Sequence, residues 1–199
     1  MIEKAQRDAN LRDRGFTLLE LLITSTLSII VVMIAGGLLI NGLRTQEMTH
    51  TVTDASNTAQ QVVRSVQAGV KNASAITVMS DAVTGTQLLL ARTISMDPAS
   101  TAPSCQAWYY TPADGGAVYT HKTTPASLIS LPADGPKGNW TILGTGISPS
   151  DPATGKVFNA PSGGRIELKF DVKAGEHPYV LINTMTYTTQ SSTVSTPCF

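Results

Sequence analysis

Charge is scarce in this chain. Asp, Glu, Lys and Arg make up 14% of its 199 residues, and the 14 basic residues balance the 14 acidic ones. With no net charge, nothing global draws the chain to nucleic acid. Histidine is rarer still: His50, His121 and His177 are scattered, and none has a second His or a Cys at ligand spacing, so no transition-metal site is expected. Asp114, Asp134 and Asp151 lie in turns without the dense alternation of acids that a calcium loop needs, and read as turn caps. No Gly-rich phosphate loop follows a strand and no Gly-x-Ser-x-Gly elbow occurs. Ser, His and Asp are present, but spacing alone does not assemble them. Neither an enzymatic activity nor a cofactor is therefore expected. There are only two cysteines, Cys105 and Cys198, which permit a single intramolecular pairing.

What the chain does have is one long apolar run, from Leu18 to about Leu43, introduced by Gly15-Phe16-Thr17-Leu18-Leu19-Glu20. A helix needs about 20 apolar residues to cross a bilayer, and this run exceeds that. The segment before it, 1–15, is hydrophilic and holds Lys4, Arg7, Arg12 and Arg14 beside Glu3, Asp8 and Asp13. Removing it leaves 10 of the 14 basic and 11 of the 14 acidic residues, a nearly neutral remainder. Its basic residues favour a cytoplasmic N-terminus. The rest, rich in Ser, Thr, Gly and Pro, is too polar for several spans.

The order of these features is unlike an ordinary secretory signal, in which the small residue follows the apolar region. Here Gly15 precedes it, so a cut there leaves the hydrophobic helix on the mature chain. Glu20 is the second oddity. A carboxylate at mid-membrane costs about 2.5–3.5 kcal/mol, and each Leu, Ile, Val or Phe returns about 0.3–0.6. The twelve Leu, Ile and Val residues from Leu21 to Ile40 outweigh it near a helix end. The competing reading, a plain signal anchor with an incidental Gly-Phe junction, leaves that cost without a purpose, whereas carboxylates inside spans usually have a partner.

Gly15, Phe16 and Glu20 together resemble the class III signal of type IV prepilins and pseudopilins. That resemblance implies cleavage after Gly15 by a prepilin peptidase, N-methylation of Phe16, and a charge pair in lipid between Glu20 and the α-amine of a neighbouring subunit's Phe16 or its equivalent. It implies other pilin or pseudopilin subunits and the membrane as partners, with the head outside the cytoplasm in a pilus or pseudopilus. Major pilins commonly carry proline at the position of Gly37, and Gly36-Gly37 stands there instead. This departure, a large head and Thr-rich loops look more like a minor pilin or larger pseudopilin. The order of Trp108-Tyr109-Tyr110, Val118-Tyr119 and a late strand pair is similar to the pilin W and pseudopilin J group. An anchored binding or enzyme domain that does not polymerise, and an adhesin-like tip subunit, are the alternatives. In an exported chain the pair Cys105 and Cys198 reads as a disulfide.

Past Leu43 the sequence turns polar but keeps a stripe of Met48, Val52, Ala55, Ala59, Val62, Val66 and Val70, whose steps of three and four put one apolar face on a helix. One helix from about Phe16 to Val70 is expected, ended by a left-handed Asn72. Thr24, Ser25, Thr26 and Ser28 lie within the span and are expected to bond back to carbonyls one turn earlier. Strands are expected at 75–79, 87–91, 106–110 and 117–121. The strongest two are 165–172, with Ile166, Leu168, Phe170 and Val172 on one face, and 179–187, joined by a longer loop at 173–178. In the aromatic cluster, Tyr109 is expected to point inward with Trp108 and Tyr110 on the opposite face. Pro112-Ala113-Asp114-Gly115, Pro132-Ala133-Asp134-Gly135 and Asp151-Pro152-Ala153-Thr154-Gly155 are turns. The expected class is α+β: a leader at 1–15, a helix at 16–72 (16–43 in membrane, 44–72 amphipathic), and a head at 73–199 that is mainly antiparallel sheet against the helix.

Overall fold

The computed structural model describes residues 17–94, 102–132, 135–161, 164–189 and 194–199. The chain forms an α+β fold in two compact units, Met1–Met48 and Thr49–Phe199. A single helix, α1 (Leu18–Lys71), enters both. In the first unit it is exposed along its described length except at Gly36, which is half-buried, with Leu18 at 86% and Val32 at 70%. It runs unbroken through Gly36 and Gly37. Thr24, Ser25 and Thr26 return their hydroxyls to carbonyls three or four residues earlier, at 2.8–3.1 Å. Each hydroxyl is thereby satisfied without a second chain.

The second unit wraps sheets around the rest of α1. Among the described residues nine strands follow in chain order: β1 (Ala73–Ser80), β2 (Gln87–Ile94), β3 (Pro103–Thr111), β4 (Ala117–Thr123), β5 (Thr141–Thr145), β6 (Ile147–Pro149), β7 (Phe158–Asn159), β8 (Arg165–Ala174) and β9 (His177–Tyr187). All pairings are antiparallel. The first sheet has the order β1-β2-β3-β4-β5; in the second, β8 pairs with β6, β7 and β9. Gly146, at positive φ, turns β5 into β6, and its carbonyl accepts the Lys173 N–H at 2.8 Å.

The core between helix and sheets follows the stripe. Ala55, Ala59, Val62, Val66 and Val70 are buried against Leu89, Trp108, Tyr110, Val118, Ile166, Leu168 and Phe170. Met48, which the stripe includes, is 45% exposed. Small residues let the sheet approach closely. Trp108 donates its indole N–H to Ser65 Oγ at 2.9 Å, and a Cβ on Gly69 would sit 2.1 Å from its ring. Gln87 is buried, and both ends of its side-chain amide are bonded. Its amide oxygen accepts the N–H groups of Val157 and Phe158 at 3.0 and 2.9 Å, and its NH2 donates to the Gly155 carbonyl.

Several expectations are corrected. Asn72 is not left-handed: among the described non-glycine residues only Asp114 has positive φ. The helix end is satisfied from a distance, because the Lys71 carbonyl accepts both the N–H and the hydroxyl of Thr189. The 173–178 loop shrinks to Gly175-Glu176, with Gly175 at φ 61 in the first position, where two-residue hairpin turns accept glycine. Trp108 and Tyr110 do not cover an outer face. They join the helix-side core, while Tyr109 enters a second cluster with Leu88, Leu90, Cys105, Ala107, Ile129 and Cys198. The first sheet is thus buried on both faces. Of the three turns, Asp151 accepts the Ala153 N–H and the Thr154 hydroxyl, as a local cap does. Asp114 itself takes the left-handed conformation (φ 52), and the Pro132 turn lies partly outside the described residues.

Candidate functional site: the N-terminal segment

Gly15 and Phe16 lie outside the described residues, so the segment is visible from Thr17 onward. Thr17 starts the helix. Its hydroxyl accepts the Glu20 N–H at 3.3 Å and its carbonyl accepts the N–H groups of Glu20 and Leu21 at 3.0 and 3.2 Å. Thr17-Leu18-Leu19-Glu20 is a capping-box sequence, which supplies a hydroxyl to the orphan donors of the first turn. That role of Thr17 was readable from the Thr-x-x-Glu spacing and is not among the sequence expectations. Glu20 occupies the first turn, where the helix macrodipole favours a negative charge. The carboxylate therefore stands where helix geometry tolerates it best. Beyond it α1 is long and apolar enough to cross a membrane by length and composition.

Cys105 and Cys198 form a disulfide with Cα atoms 5.4 Å apart. The chain end is held by more than this bond. Arg92 Nε donates to the Thr196 carbonyl and Nη1 to Ser74 Oγ, each at 3.0 Å, and Ser74 Oγ donates to the Val194 carbonyl at 3.1 Å.

Other polar groups of the head bond to near neighbours. His121 Nδ1 lies 3.0 Å from the Asn139 carbonyl, and its ring is tilted 41° to that of Trp140 with centroids 5.4 Å apart. Among the described residues no three His, Cys, Asp or Glu side chains gather as a metal site would require. The Val83 N–H, then the Thr84 hydroxyl, hold the Asp81 carboxyl below its ordinary pKa. Lys169, 2.9 Å away, and then Asn159 lower that of Glu167. Desolvation raises that of Asp171, whose Oδ1 is buried without a partner among the described residues. An open cleft of about 420 Å³ between the β1–β2 turn and residues 154–156 is lined by Asp81, Thr86, Gln87, Thr154 and Lys156.

Residues 10–36 match the family model for the prokaryotic N-terminal methylation motif. No curated protein and no solved structure matches the chain. The matched stretch contains Gly15, Phe16, Glu20 and the apolar run as far as Gly36, the same residues that set this segment apart from a secretory signal. The chain therefore carries the class III signal of a type IV pilin-like prepilin at the head of its membrane-length helix.

Proposed function

We propose that the protein is a structural, non-enzymatic subunit of a type IV pilus-like filament, of the minor pilin or pseudopilin kind. It is made with a leader, cut between Gly15 and Phe16 by a prepilin peptidase, methylated on Phe16, and assembled through α1 with other pilin subunits. The observation that carries this reading is the methylation motif over residues 10–36, which extends into a helix whose apolar surface is exposed along its described membrane-length part. A helix apolar all round belongs in lipid or against other helices. The four basic residues of the leader keep it cytoplasmic and direct the head outward.

Cleavage demands a small residue at the junction. Gly15→Val is expected to accumulate as full-length precursor in the membrane fraction, read by N-terminal sequencing; normal mature chain from that variant contradicts the class III signal.

Glu20 separates insertion from assembly. Removing its charge makes insertion easier by about 2.5–3.5 kcal/mol at most, so Glu20→Val stays embedded. What it removes is the attraction to a neighbour's positive N-terminus, where screening is weak and one pair selects an axial stagger. Wild type and Glu20→Val are compared at matched expression in membrane and sheared-filament fractions. Loss from filaments with normal membrane levels is expected; equal recovery in both fractions would show that the glutamate merely reaches the headgroups.

A further inference from the structure

The two longest outer strands of the head are β1 and β9, and the start of β1 is met by the chain end, where Ser74 Oγ donates to the Val194 carbonyl. Among the described residues β9 pairs only with β8, and β1 only with β2. Sheet edges are normally blunted by Lys, Pro or bulges, because an open row of N–H and C=O groups invites another strand. Neither edge has these devices along its length. No charged side chain occurs from Pro178 to Phe199, or anywhere in β1. Pro178 sits at the very start of β9, and the irregularity of β1 is confined to Ala73 and Ala75. The outer side of β9 adds an apolar row. Tyr179, Leu181, Met185 and Tyr187 are 59, 65, 51 and 62% exposed, and Met79 on β1 is 39% exposed.

The directions of the two edges decide what fits them. β9 runs beside α1 toward the helix end: a Cβ on Gly175 would touch Thr51, Thr184 accepts from Gln67 at 3.4 Å, and Thr189 bonds Lys71. β1 leaves that same end, starting at Ala73. Two copies standing side by side with their α1 helices in the same sense therefore bring β9 of one antiparallel to β1 of the next. A β9-to-β9 antiparallel pair instead requires opposed helices.

We propose that β9 of one copy pairs antiparallel with β1 of a second copy, joining the heads edge to edge. The contact is heterologous and does not close on itself, so repetition extends it into an open array. It deepens the filament-subunit reading, on which the common orientation of the helices rests, and it requires at least two neighbouring copies.

The test is cross-linking of the full-length chain in its membrane. Both described native cysteines are in the disulfide, so introduced thiols are the reactive ones. Copies carrying Met79→Cys are co-expressed with copies carrying Tyr179→Cys, Asn183→Cys or Tyr187→Cys. Four-residue steps along a strand are about 13 Å apart, so a bis-maleimide of similar reach samples every pairing register. The expected result is a mixed dimer with at least one β9 position, none when either variant is expressed alone, and loss of the dimer on adding Leu181→Lys and Met185→Lys. Absence of a mixed dimer from all three combinations, or dimers between β9 cysteines alone, overturns the pairing. Sheared filaments are scored in the same strains. Subunits in filaments without the mixed dimer sink the pairing and leave the filament reading standing, whereas a mixed dimer in membranes without filaments does the reverse.

Discussion

Trp108→Ala is expected to destabilise the head by about 3–5 kcal/mol, the range for emptying a large buried aromatic site. For a domain of this size that lowers the thermal midpoint by roughly 6–20 °C. The indole is fully buried between α1 and β3. Its N–H is used by Ser65, so the loss includes a hydrogen bond as well as packing. Gly69 offers the complementary experiment. In an exposed helix Gly→Ala stabilises by about 1 kcal/mol. Here the added Cβ would meet ring carbons of Trp108 at 2.1 and 2.5 Å. Overpacking costs about 1–3 kcal/mol, so Gly69→Ala is expected to lower the midpoint. Heating of the purified full-length chain in detergent, followed by its β-sheet circular dichroism, reads both variants. An unchanged Trp108→Ala, or a stabilised Gly69→Ala, contradicts the close helix–sheet approach.

Removal of the Cys105–Cys198 bond should have an effect of similar size. The bond joins residues 93 apart, and loop entropy for so long a segment sets an upper figure of about 4–5 kcal/mol. It does more than restrain the unfolded chain. Cys198 lies over the outer face of the first sheet beside Leu88, Leu90 and Tyr109. Once the bond is gone, Arg92 and Ser74 still bond the Thr196 and Val194 carbonyls, but single hydrogen bonds contribute only about 1 kcal/mol each. Cys198→Ser is expected to lower the midpoint and to make the C-terminal segment the first site of limited proteolysis. Reductant should reproduce the effect in wild type and add nothing in the variant. Two thiols alkylated in the native protein without reductant, or a midpoint indifferent to reduction, would contradict a bond that supports the head.

The sequence made the long periodic elements legible and hid the short ones. The alternation of Ile166, Leu168, Phe170 and Val172 marked β8, and the three-and-four spacing of Ala55, Ala59, Val62 and Val66 marked the buried face of α1. Both signals repeat over enough residues to be distinctive. β6 and β7 have three and two residues, too few for any period, and β5 carries Gly144, which lets the strand approach Thr58 and Val62. The double-sided burial of β3 was hidden for a different reason. What covers Tyr109 is Ile129 and Cys198, remote in sequence and placed by the disulfide and a loop. Gln87 looked like an ordinary strand start, and only the fold shows it holding residues 155–158. At the N-terminal segment the chemistry was legible because it is linear: Gly15, Phe16 and Glu20 act through their order along the chain. The capping role of Thr17 was equally linear.

The most direct measurement of the central claim is the mass of the N-terminal peptide of this protein recovered from sheared surface filaments. The account predicts a chain beginning at Phe16 with one methyl group on its α-amine, and no peptide from residues 1–15. A chain beginning at Met1, or a cut on the far side of the apolar helix that leaves the head without α1, would contradict it.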